Sequence, residues 1–143
     1  MTQRDRVQSE PLRTVAHWAL AGFLLTAGVG HFVRTEEFLG QVPSFLPART
    51  AIVYISGVAE LGLAAALVGL PSKRVTVGWV TAGFFVLVFP GNVYQAMAGV
   101  PVFGLDTPTA RWGRLVFQPL FVMWALWSTG AWRARGSLFR RRA

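Results

Sequence analysis

The sequence predicts an all-α membrane protein, a four-transmembrane-helix bundle with both its N and C termini cytoplasmic. Three observations carry that expectation. Of 143 residues, 53% are apolar and only 14% charged, where a soluble domain carries about a quarter charged residues. Four apolar runs approach the ~20 residues needed to cross ~30 Å of hydrocarbon. The lysines and arginines gather at alternate ends of those runs.

The runs cover about 15–33, 51–70, 75–98 and 115–132. They are continuously apolar rather than alternating, which argues against a β-barrel. The first is too long for a signal peptide, and no small-residue cleavage site followed by a polar chain comes after it. Its Gly22, Thr26 and Gly30, four residues apart, form a small-residue stripe against which a neighbouring helix could pack closely. Gly78 and Ala82 offer a shorter version on the third run. The expected organisation is an N-terminal segment over 1–13, a membrane domain over 14–132 and a basic tail over 133–143.

Orientation follows from the basic residues. Arg4, Arg6 and Arg13 precede the first run, Lys73 and Arg74 join the second to the third, and Arg133, Arg135, Arg140, Arg141 and Arg142 follow the fourth. Arg34, Arg49, Arg111 and Arg114 fall on the other side. The positive-inside rule places the richer side, with both ends of the chain, in the cytoplasm. Trp112 and Trp132 flank the fourth run about 30 Å apart, as interfacial aromatics do. The net charge of +8 does not indicate nucleic acid, because the cations sit at helix ends and in the tail rather than on one clustered polar face.

The two outer connections are long. Residues 34–48 hold Phe38, Leu39, Val42, Phe45 and Leu46, broken by Pro43 and Pro47: too short to span, too apolar to float free. Residues 99–113 form a second outer loop. Together they are expected to cover the outer mouth of the bundle.

Glu60 is the most informative residue. About eleven residues into the second run it lies ~16 Å deep, where an acid costs at least ~2.5 kcal/mol on insertion scales. Intramembrane acids usually face the bundle interior and take part in transport, proton transfer or ligand contact; the structural alternative is a hydrogen bond between helices. His31 ends the first run. Asn92 follows Pro90 and Gly91, where proline frees a backbone carbonyl, and Gln95 shares its face. Arg114 and Gln118 are four apart on one face of the fourth helix. If these faces turn inward, His31, Glu60, Asn92, Gln95, Arg114 and Gln118 ring a polar cavity in the outer half, with Glu60 at its floor. Each also has a plainer role: a helix-end cap for His31, a snorkelling charge for Arg114, satisfaction of the Pro90 kink for Asn92.

No catalytic residue can be named. With no cysteine, thiol catalysis and thiolate metal sites are excluded. His17 and His31 lie within ~40° on one helix face, ~21 Å apart, but the second run has no histidine, so haem would need a dimer. The Glu-x-x-His pairs of di-iron bundles are absent from the sequence, and no metal is expected.

The chain resembles the DoxX family of small bacterial membrane proteins over about 14–132. The resemblance rests on Gly30-His31-Phe32, the Pro43–Pro47 segment, Ser56-Gly57-Val58-Ala59-Glu60-Leu61-Gly62, Phe89-Pro90-Gly91-Asn92 and Arg114-Leu115-Val116-Phe117-Gln118. It departs from the family at Val116, where a proline often follows the Arg-Leu pair. The resemblance implies a four-helix bundle in the bacterial plasma membrane and, more loosely, quinone-linked redox chemistry, with quinone as the implied cofactor. The expected function is a subunit or accessory protein of a redox system, binding a quinone-like or other amphipathic ligand. Two alternatives stay open: a small oligomeric transporter coupled through Glu60, and a scaffold recruiting a partner enzyme with its Arg-rich tail. The expected partners are the lipid bilayer and a redox enzyme or further copies of the chain.

Overall fold

The structure, a computed structural model, describes the backbone of residues 3–140 and the side chains of residues 10–136. The side chains of Arg4, Arg6, Arg140, Arg141 and Arg142, used above for orientation, lie outside the described residues. All regular structure among the described residues is helical. In chain order it comprises α1 (Gln3–Val33), α2 (Thr35–Leu39), α3 (Arg49–Gly69), a 3-10 turn (Pro71–Lys73), α4 (Arg74–Ala98), α5 (Pro108–Ser128) and α6 (Ala131–Arg140).

Four of these helices are long. Three spans are long and apolar enough to cross a membrane: Glu10–Val33, Arg49–Gly69 and Pro71–Ala98. Helix α5 matches α3 in length, at 21 residues each, but carries Arg111, Arg114 and Gln118 in its first half. Large apolar side chains cover the outside of the bundle, among them Leu25, Val29, Ile55, Val58, Leu87 and Met123. A surface so uniformly apolar meets lipid rather than water. The chain is a multi-pass membrane protein.

Two boundaries differ from the sequence reading. Helix α1 begins at Gln3 rather than near Val15, so the polar N-terminal residues continue the first span as helix. Helix α5 occupies Pro108–Ser128 rather than 115–132. Its start is set by Thr107, whose hydroxyl accepts from Ala110 N at 3.2 Å, and by Pro108, whose missing N–H is no loss in the first turn. Its end is set by Gly130, at φ 78°, a conformation that breaks the helix before Trp132.

The basic residues of one end lock that end together. Arg13 donates to Trp127 O at 3.3 Å and Arg74 to Ser128 O. Both guanidinium groups therefore add charged donors to the last carbonyls of α5, where positive charge opposes its dipole. Above them lies the apolar core of Leu20, Leu24, Ala64, Leu67, Val77, Ala82, Phe85, Ala125 and Leu126.

The helices pack as two pairs, α1 with α3 and α4 with α5, while α3 and α4 meet only over a short length. Helices α1 and α3 approach most closely at Gly28 and Gly57. A Cβ on Gly57 would lie 2.7 Å from His31 Cβ and 3.1 Å from Gly28 O. Of the stripe expected to do this, Gly22-Thr26-Gly30, only Gly30 meets another helix, with its Cβ position 3.4 Å from the Phe38 ring of α2; a Cβ on Gly22 would touch nothing within 4 Å, and Thr26 returns its hydroxyl to Gly22 O. Gly78 does serve close packing, against Thr129.

Candidate functional site

Buried positions on α3 are Val53, Gly57, Glu60, Ala64 and Leu67, a spacing of alternating fours and threes that marks one helix face. Glu60 belongs to that inward face and is only 8% exposed. One helical turn before it, Gly57 lets α1 come close enough to set His31 beside the acid. Asn92, Gln95 and Gln118 are likewise buried.

These side chains meet at a cavity of about 580 Å³ in the half of the bundle that carries α2 and the 99–107 connection. His31, Glu60, Asn92, Arg114 and Gln118 line it. Gln95 does not; wholly buried behind the wall, it supports Arg114 instead. The rest of the lining is mostly apolar and rich in rings, including Phe23, Phe38, Phe84, Phe85 and Phe121. Ile55 of α3 and Leu87 of α4 also line it, yet are 69% and 75% exposed. They therefore mark an opening through the bundle's outer face where α3 and α4 separate.

The polar groups form two clusters. In the first, His31 Nδ1 lies 2.9 Å from Ala27 O and 3.1 Å from Glu60 Oε2. Carbonyl and carboxylate oxygens both only accept, and of the two contacts only the one to Ala27 O has hydrogen-bond geometry, so the Nδ1 hydrogen is directed there. Glu60 Oε2 is then buried with no hydrogen-bond partner among the described residues. The imidazole is fixed in place by stacking on Phe38, with centroids 3.7 Å apart.

The second cluster joins α4, α5 and the connections over 40–48 and 99–107. Asn92 donates to Gln118 Oε1 at 3.0 Å, and Gln118 donates in turn to Phe85 O. Arg114 donates to Gln95 Oε1 at 3.2 Å and Gln41 Oε1 at 3.1 Å, and stands over the Phe103 ring. No carboxylate pairs with it among the described residues. Asn92 thus answers Gln118, not the carbonyl freed by Pro90. The glycine of that motif has the clearer backbone role: a Cβ on Gly91 would lie 2.9 Å from Gln41 O, so Gly91 admits the first outer connection against α4.

The connections between α1 and α3 and between α4 and α5 pack on each other above the cavity. Glu37 accepts from Phe103 N at 2.6 Å, Phe38 meets Phe103 edge-on at 4.9 Å, and Val42 and Val102 are buried. Arg111 closes the second connection on itself by donating to Leu105 O and Asp106 O. Sequence reasoning missed Gln41 and Phe38 as site residues. Gln41 lies outside any helix and Phe38 in the five-residue α2, too short for a helical period to reveal an inward face; the only signal was the segment's unusual apolarity.

A family model for a domain of unknown function, DUF8561, matches residues 20–129. The chain belongs to that family. The matched stretch runs from the start of the buried core on α1 to the end of α5, so the DUF8561 domain contains the whole cavity. The model that matches is not that of DoxX, and a DUF8561 domain carries no implication of quinone or redox chemistry. No curated protein and no solved structure matches the chain.

Proposed function

We propose that this DUF8561 protein crosses the plasma membrane four times, with both ends cytoplasmic, and binds an amphipathic, quinone-like molecule in the outer half of the bundle. In this reading it serves a membrane redox system as a subunit or accessory protein. The observation that carries the binding role is the cavity itself: an apolar, ring-lined space open sideways toward lipid, with a buried acid inside it. Ligand pockets combine an apolar lining with few, well-placed polar groups, and this one has Glu60, His31 and Arg114. The redox assignment rests on the likeness of the five sequence motifs to DoxX alone. The fourth crossing is supported by α5, whose length of 21 residues covers about 31 Å and whose Arg114 and Gln118 line the cavity rather than the lipid face.

A transporter coupled through Glu60 would need a polar path past the acid to the Pro71–Arg74 end. That direction is filled mostly by Leu20, Leu24, Ala64, Leu67 and Leu126, with His17, held at Leu67 O, and Thr81 as isolated buried polar side chains; this apolar packing favours binding over passage.

Titrating a short-tailed quinone, in oxidised and in reduced form, into the purified full-length protein tests the proposal. Saturable binding of at least one form, weakened about tenfold or more by Glu60→Gln, is expected, as for loss of one charged hydrogen-bonding group. Binding of neither form, or binding indifferent to Glu60→Gln, would count decisively against it.

A further inference from the structure

The polar groups of the cavity specify what the head of its ligand must offer. On one side stands Glu60, only 8% exposed, its Oε2 buried with no hydrogen-bond partner among the described residues. Its one close polar neighbour, His31 Nδ1, has its only hydrogen directed at Ala27 O. No hydrogen bond to His31 Nε2 occurs among the described residues either. A carboxylate without donors in a low-dielectric interior is costly, and the cavity is the space from which a donor can come.

The charge of that donor follows from the other cluster. Arg114 lines the same cavity, and its guanidinium is held by two neutral amide oxygens and a ring, with no carboxylate. A cationic head would enter beside an unpaired cation. A neutral hydroxyl carries no charge for Arg114 to repel. Arg114 also keeps N–H donors beyond the two it uses, so an acceptor elsewhere on the ligand finds a partner. The shape follows from the walls: Phe38 stacked beside His31 and Phe85 and Phe121 5.6 Å apart favour a flat ring.

We infer that the cavity selects a neutral aromatic alcohol with an apolar tail, a phenol or hydroquinone whose hydroxyl donates to Glu60, the tail leaving between Ile55 and Leu87. The inference rests on the cavity reading above and adds to it a requirement for a donor. A head offering only carbonyl or ether oxygens leaves Glu60 unsatisfied. Sites built to hydrogen-bond a hydroxyl reject analogues lacking it far more strongly than apolar pockets reject a change of size.

Binding of three probes to the full chain in lipid nanodiscs tests this: para-octylphenol, its methyl ether para-octylanisole, and octylamine. Phenol and ether share ring and tail and differ in the donor. The phenol is expected to bind at least about tenfold more tightly than the ether. That preference should collapse in Glu60→Leu and persist, reduced, in Glu60→Gln, which retains an acceptor oxygen. The comparison within the wild-type protein needs no variant to fold. Equal binding of phenol and ether, both lost when Ala59→Phe fills the cavity, would overturn the donor requirement while leaving the cavity reading intact. Tighter binding of octylamine than of the phenol would overturn the neutral head. Binding of no probe, or binding untouched by Ala59→Phe, would overturn both.

Discussion

Arg114 is held by Gln95 of α4 and Gln41 of the first outer connection at the same time. Its planar fork is what lets one residue serve two acceptors on different segments. Arg114→Leu strands both amide oxygens and is expected to lower stability by about 1–3 kcal/mol, read as thermal unfolding in detergent. Arg114→Lys should recover little of that, because an ammonium is a point charge and not a fork. Unfolding of Arg114→Leu at the wild-type temperature would mean that the outer segment is not tied down through this residue. Depth alone marked Glu60 as a residue that lipid would not tolerate, and it sits on the inward face. Gln95 was legible as an inward polar residue but not in its role, since helical spacing says which face a side chain shares and not which neighbour it meets. Gln41 was invisible for a related reason: outside a helix there is no period to read.

At the scale of elements, glycines decide how closely segments approach. Gly57 carries the α1–α3 contact and thereby the position of His31; Gly91 carries the approach of Gln41 to α4. A Gly57→Leu chain must move α1 and with it the His31–Glu60 contact of 3.1 Å. Overpacking of this kind costs about 1–3 kcal/mol, and ligand affinity should fall with it. Gly62→Leu, where a Cβ meets nothing within 4 Å, should leave both unchanged. Equal effects of the two substitutions, in parallel unfolding and binding assays, would contradict this account of the helix contact. The small-residue stripe on α1 was visible in the sequence, but Gly28, which makes the contact, lies on another face of that helix. Which row faces a partner depends on packing that a single helix does not encode. The ends of α5 had readable signals, Thr107-Pro108 and Gly130, yet hydropathy places the span by its apolar centre and passes over Arg111 and Arg114, which turn inward.

The whole molecule is two helix pairs closed by an apolar core at one end and parted around a cavity at the other. Arg13 and Arg74 both cap α5 at the closed end, so the N-terminal end of the first span, the Pro71–Lys73 turn and the end of α5 share one side. The chain has no cysteine, so single-cysteine variants report sidedness without background. Ser72→Cys is expected to react with an impermeant maleimide only after the cytoplasmic face is opened, and Asp106→Cys in intact cells. Labelling of both from the same side would contradict the fourth crossing or the order of the spans. The helical class and the membrane were legible in bulk hydropathy, because lipid imposes its demand on every outward residue. The opening between α3 and α4 was not, because it arises from how two pairs lean together.

The central claim, that a small amphipathic molecule occupies this cavity, is tested most directly by native mass spectrometry of the protein released from its own membrane. Wild-type protein is expected to carry a bound lipid-soluble molecule that Ala59→Phe, with the cavity filled, does not carry. Identical adducts on both, or none on wild type, would contradict the claim.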